Sequence, residues 1–217
     1  ALVSGADPEG VVRAIEAPEY GIEAMASDAP ARRSIGVTSR NLERLHFRAW
    51  RVDPWAWIAQ SDDYNLLPRG DELEARLDRK PDHAWSVDLP VLPDFRAHRT
   101  WVVPPMGTPG LWIVASSAAP GFGVAENVRH AVPLVVGDLV LQRTVRETEV
   151  SVRAVAGATG RPMPGVEVLL YRKDWRSGHK VHARAVTGED GRATLAADTQ
   201  GHQWFLAGRK DDQVAID

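Results

Sequence analysis

The chain has 217 residues, 44% of them hydrophobic and 25% charged, with a formal net charge of −3 and no cysteine. Those proportions are ordinary for a globular protein and argue against wholesale disorder. The near-neutral balance excludes a strong field for DNA, RNA or an anionic membrane. The missing thiols exclude disulfides, thiolate metal sites and a Cys nucleophile, and no apolar run reaches the roughly eighteen residues that a membrane helix needs.

No secretory leader is legible. The chain opens on Ala1, Leu2 and Val3 and stops inside an alternating pattern at Val214, Ala215 and Ile216, so both ends read as cuts in a longer polypeptide. Residues 1–17 carry Gly5, Pro8 and Gly10 and read as a linker or terminal segment, with a short helix near 9–15. Candidate strands follow at 20–25, 34–38 and 42–52. Asp53 then offers an N-cap, with Pro54 at the first helical position ahead of Trp55, Trp57 and Ile58. Asp71 and Glu74 have capping-box spacing, Leu73 and Leu77 share a helical face, and Pro81 ends the run. The stretch of about 53–80 is therefore expected to be a helical insertion, packing its apolar side chains on the first sandwich or its neighbour. Strands resume at 84–89, 96–103, 111–116 and 128–136.

Only Gly137 and Asp138 separate that series from a second one at 139–142, 149–155, 166–171, 180–186, 193–196, 204–207 and 213–216. Here Val150, Val152 and Ala154 share one face, and Ser151 and Arg153 the other. The stretch 157–165, with Pro162 and Pro164, cannot join a ladder because proline removes a donor. Gly188, Glu189, Asp190 and Gly191 suit a hairpin connection. About seven short strands in some 80 residues is the pattern of an antiparallel sandwich. The expected fold is all-β: two tandem seven-stranded antiparallel sandwiches over 18–137 and 138–217, the first with the helical insertion. Two connecting residues reach at most about 7 Å, so the sandwiches should touch and hold a nearly fixed relation.

Few residues invite chemistry. The eight tryptophans at 50, 55, 57, 85, 101, 112, 175 and 204 are spread along the chain, as core and interface residues are. His179 and His182, beside Trp175 and Arg176, have a helical spacing but sit at a strand entrance. There they point to opposite faces, short of the three or four convergent ligands that zinc requires. His46, His83, His98, His130 and His202 are scattered. The acidic pairs Asp62 with Asp63, Asp71 with Glu72 and Asp211 with Asp212 are sequence neighbours, and a general acid/base pair must face across a cleft. Asp190 and Gly191 lack the further acidic positions of a calcium loop. Ser116, Ser117 and Ser151 lack a nucleophile elbow. Gly121, Phe122 and Gly123 precede no helix pattern, so no dinucleotide site is expected. Arg32 with Arg33 and Arg172 with Lys173 make no nucleic-acid stripe. The sequence thus offers no catalytic residue, no metal site and no cofactor site.

Three motifs taken together resemble macroglobulin-like domains of the bacterial α2-macroglobulin family, over roughly residues 35–217. Gly110, Leu111, Trp112, Ile113 and Val114 after Val103, Pro104 and Pro105 is similar to a proline-then-glycine strand of such domains. The run 41–53 resembles an early strand of one. The run 159–168 with Thr187, Gly188, Glu189, Asp190 and Gly191 resembles the hairpin pattern of the next, closed by 204–208 and 212–215. The resemblance implies domains from the amino-terminal half of a large periplasmic or extracellular envelope protein. Whole members trap proteases: a bait segment is cleaved and the molecule collapses around the attacker. Many carry a thioester made from a Cys-Gly-Glu-Gln motif, which this cysteine-free chain lacks. The implied role is non-catalytic scaffold of a protease inhibitor, with neighbouring domains of the same parent as partners and target proteases engaged through that parent. The alternative is an Ig-like sandwich array of an adhesin or carbohydrate-binding surface protein.

Overall fold

The structure is a computed structural model and describes residues 8–25, 27–32, 34–60, 71–123, 127–174, 178–198 and 200–217. In chain order the first half runs α1 (Pro8–Glu16), β1 (Glu19–Ala24), β2 (Ser27–Asp28), β3 (Ile35–Arg40), β4 (Arg44–Val52), α2 (Pro54–Gln60), α3 (Asp71–Leu77), β5 (His83–Asp88), β6 (His98–Val102), β7 (Gly110–Ser117) and β8 (Arg129–Val136). The second half runs β9 (Leu139–Val145), β10 (Glu149–Ala156), β11 (Glu167–Arg172), β12 (Lys180–Val186), β13 (Arg192–Ala196), β14 (Trp204–Lys210) and β15 (Gln213–Ile216).

Each half is a two-sheet sandwich, and the chain is all-β with a helical insertion between β4 and β5. The first pairs a sheet ordered β1-β3-β6 with one ordered β2-β8-β7-β4-β5; the second pairs β13-β10-β9 with β12-β11-β14-β15. Among the described residues all ladders are antiparallel except β2 on β8, where Ser27 lies opposite Val135 and Asp28 opposite Val136. That two-residue strand was not among the expected ones, and with it the described residues of the first sandwich form eight strands where seven were expected. Two residues cannot display a period of two, so nothing in the sequence announces it.

Alternation explains the cores. Ile35 and Val37, Leu45, Phe47 and Ala49, Trp112 and Val114, and Leu134 and Val136 meet between the first two sheets, where Phe47 stacks on Trp85 at 5.0 Å. Val150, Val152 and Ala154 meet Val168, Leu170, Leu195 and Leu206 between the other two. Each large aliphatic or aromatic side chain removed from water contributes about 1.5–3 kcal/mol. Just beyond the end of β12, Thr187 is 4% exposed. Its hydroxyl accepts from the Val166 N–H at 2.9 Å and donates to the Met163 carbonyl at 2.7 Å. Thr187→Val keeps the shape and leaves both groups unpaired, so it should cost about 1–3 kcal/mol in urea unfolding. A change below a few tenths would mean that water replaces the hydroxyl.

The central strand β7 is buried at every position, so the five-stranded sheet must be covered on its outer side too. Helix α3 does part of this. Leu77, with Leu73 beside it, packs on Trp50, Ala115 and Phe122. Phe122 reaches that position through a turn in which its own φ is +58°, the structural use of the Gly121, Phe122, Gly123 motif. The Arg129 guanidinium makes a two-nitrogen pair with Glu74, one contact being 2.9 Å. Hydrogen bonding from Arg129 holds the Glu74 carboxyl below its ordinary range.

The seam between the sandwiches as candidate functional site

The two halves of the insertion go to different places. While α3 lies on the first sandwich, α2 crosses to the second. The reason is written in β11 and β14, whose stretches 168–171 and 204–207 are continuously apolar instead of alternating. Val168, Leu170 and Leu206 point into the second core, fully buried. Leu169, Tyr171, Phe205 and Ala207 point the other way, yet none exceeds 6% exposure. They are covered by Ile58, itself at 0%, with Trp55 and Ile216 at the margin. Tyr171 and Phe205 stack with centroids 4.8 Å apart and planes 6° from parallel. Burial pushes the Tyr171 hydroxyl above its ordinary pKa.

The start of α2 is fixed by Asp53, as its capping pattern suggests: the carboxylate accepts the Ala56 N–H at 2.8 Å and the carbonyl accepts the Trp57 N–H at 2.9 Å. Trp55 and Ile58, three residues apart, then share the face turned to the second sandwich. Arg209 of β14 lies 5.3 Å from the Trp55 ring centre and is held by Glu167 at 2.9 Å. Arg76 of α3 lies 5.1 Å from the Trp57 ring centre, which joins the two helices.

A polar clasp borders this apolar patch. From the end of β4, Arg51 Nη2 donates to the Pro109 carbonyl at 2.9 Å and to Asp212 Oδ1 at 2.8 Å, bridging the sandwiches. Gly110 makes room: its φ is +147°, and a Cβ there would lie 2.7 Å from Arg51 Nε. The connector is clasped as well. The Asp138 N–H donates to Gln213 Oε1 at 2.7 Å, and a Cβ on Gly137 would stand 2.8 Å from that oxygen. A cleft of about 320 Å³ remains beside Arg51, Asp53, Arg209, Asp211 and Asp212.

Magnitude decides which part of the seam holds it. Arg51 and Asp212 side chains are 41% and 68% exposed, and such pairs contribute about 0.2–1 kcal/mol. A double-mutant cycle of Arg51→Ala and Asp212→Ala should give a coupling below about 1 kcal/mol that fades in high salt. A coupling of several kcal/mol would shift the weight from Ile58 and the stacked rings to the ion pair.

Among the described residues, those weighed earlier for chemistry do not converge on the seam as a reacting set. His179 packs edge-on to Phe205 at 5.1 Å and His182 to Trp204 at 4.7 Å, rings on opposite faces of β14. Ser116 is buried, its hydroxyl 3.4 Å from the Tyr20 hydroxyl and 3.5 Å from the carbonyl of His130, its partner across the ladder; the His130 ring is engaged elsewhere, its Nε2 donating to the Tyr20 carbonyl at 3.0 Å. Ser117 accepts from Asn127 at 2.9 Å, which ties down the β7–β8 connection. Asp212 serves the clasp, while Asp62, Asp63 and Trp175 lie outside the described residues. Among the described residues no group of three or more His, Cys, Asp or Glu side chains is placed to hold a metal, and no helix is long and apolar enough to cross a membrane. Of the remaining tryptophans, Trp50 and Trp112 are core, and Trp101 is 39% exposed. Sequence reasoning missed Arg51, Gly110, Arg209, Asp212 and Gln213 as seam residues. The consecutive apolar positions of β11 and β14 were the available signal.

Two sandwiches in series, splinted by a helical insertion and joined by a two-residue connector, give the chain a tandem β-sandwich architecture of macroglobulin-like fold. The chain has the fold of the NIE–MG1 pair of native α2-macroglobulin from Escherichia coli: TM-score 0.68 at 18% identity, over 93% of this chain and 97% of that one. A longer E. coli fragment spanning MG0–NIE–MG1 matches with TM-score 0.68 and 18% identity over 92% of this chain and 63% of that one. A Salmonella α2-macroglobulin mutant matches with TM-score 0.64 and 14% identity over 92% of this chain. This chain spans 12% of the length of that Salmonella protein. No family profile and no curated protein sequence matches the chain.

Proposed function

We propose that the chain is the NIE–MG1-like portion of a larger bacterial α2-macroglobulin-like protein of the periplasm or cell exterior, and that it is non-enzymatic scaffold in a protease-trapping inhibitor. The observation that carries this reading is the single superposition spanning both sandwiches and nearly the whole NIE–MG1 fragment. The seam supports it further: a scaffold that must transmit a shape change needs neighbouring domains that move as one piece. Here a helix of one domain fills the outer face of the next.

The test uses the parent protein. Incubated with a broad-specificity protease, it should shield large protein substrates from the enzyme while small peptide substrates are still hydrolysed, because trapping encloses the protease without blocking its active site. Equal inhibition of both substrate sizes, or of neither, would sink the trapping role. A reading frame built of further short sandwiches ending in a surface anchor would favour an adhesin instead.

A further inference from the structure

We propose that the apolar stripe of α1 is a docking face for the domain that precedes it in the parent polypeptide, an inference that rests on the reading just given. The helix has nine residues and not one of them is buried. Val11, Val12 and Ile15 gather on one side and are 53%, 50% and 43% exposed. Glu9, Arg13 and Glu16 occupy the other side. A helix shorter than about 12–15 residues is marginal in water on its own and draws its stability from packing an amphipathic face. Among the described residues, side chains of the first sandwich grip α1 at its far end. Asn41 Nδ2 donates to the Ile15 carbonyl at 2.7 Å and the Ala17 carbonyl at 3.5 Å, and Arg40 Nη2 donates to the Ala14 carbonyl at 3.3 Å. These contacts fix the direction of the helix and leave its apolar side uncovered.

Charge and position identify the occupant. A helix built to lie on anionic lipid carries Lys and Arg along its polar face; this one sets two carboxylates against one guanidinium, with Arg13 3.9 Å from Glu9. A protein surface suits it better. The chain enters the first sandwich through α1, and the E. coli fragment spanning MG0–NIE–MG1, of which this chain covers 63%, carries one further domain beyond the NIE–MG1 pair. The preceding domain is thus the partner nearest to the stripe along the chain.

Hydrogen exchange of the α1 amides tests this, measured in the parent protein and in the 217-residue chain. The amides should exchange at least about tenfold more slowly in the parent, since local opening there must also break the docked contact. Val11→Asp with Ile15→Asp should return the parent's rates to those of the short chain. Val11→Ala with Ile15→Ala, which preserves helix propensity, should do the same. Equal rates in the wild-type parent and the short chain would overturn the docking. So would slowing in the short chain that grows with its own concentration, which marks a second copy as occupant, or slowing on addition of anionic lipid vesicles. Substrate shielding measured on the same parent separates the two readings. Intact shielding with unslowed α1 amides removes the docking alone, and absent shielding removes the trapping role.

Discussion

Replacing Ile58 with Asp is expected to part the two sandwiches without unfolding either. Ile58 is wholly buried against Leu169, Tyr171, Phe205 and Ala207, and none of these side chains belongs to its own sandwich. An ionised carboxylate in that position has no partner, and burying it costs far more than lifting α2 off the sheet. The helix should therefore undock, leaving both cores closed by contacts that do not involve it. Small-angle scattering would change from a profile fitted by one arrangement to one that needs a spread of interdomain distances. The milder Ile58→Ala should cost about 2–5 kcal/mol, as truncation of a buried aliphatic does, with the lower end expected if α2 settles into the gap. An Ile58→Asp protein whose scattering is unchanged would mean that the clasp of Arg51, Asp212 and Gln213 suffices to hold the seam.

That expectation depends on a feature only half legible in the sequence. The strands could be read because their partners lie nearby and their signal is local: Val150, Val152 and Ala154 alternate with polar neighbours, and Gly188 to Gly191 marks a turn. The helices could be read from Asp53, Pro54 and the spacing of Leu73 and Leu77. The seam is different. Consecutive apolar residues at Leu169, Leu170 and Tyr171 say that both faces of the strand are dry, but nothing local says what covers the second face. Arg51 and Asp212 are 161 residues apart, and neither differs in type or surroundings from the other exposed charges on the chain. Gly110 is a further case. It reads as the start of a strand, whereas its missing side chain is what admits Arg51. Non-local packing follows from the three-dimensional meeting of elements that are each ordinary alone. The split of the insertion, with α3 on the first sandwich and α2 on the second, belongs to that category.

Two adjacent residues of β14 put the two-faced reading to its sharpest test. Leu206 and Phe205 follow one another, and a strand sends successive side chains to opposite faces. Leu206 lies opposite Leu170 and faces the second core. Phe205 lies opposite Tyr171, stacks on it, and faces α2. Leu206→Ala should therefore cost about 2–5 kcal/mol in the unfolding of the second sandwich and leave the interdomain geometry as it was, because no atom of Leu206 belongs to the seam. Phe205→Ala should cost about 3–5 kcal/mol and, in addition, loosen α2, since Tyr171 loses its stacking partner and Ile58 loses part of its floor. Urea unfolding followed at the two domains gives the first quantity, and hydrogen exchange of the α2 amides gives the second. The decisive outcome is the contrast: faster exchange in α2 for Phe205→Ala and wild-type exchange there for Leu206→Ala. Equal loosening by both variants would mean that the second sandwich deforms as a unit and that its two faces are not separable. Loosening by Leu206→Ala alone would place α2 on the wrong side of the sheet.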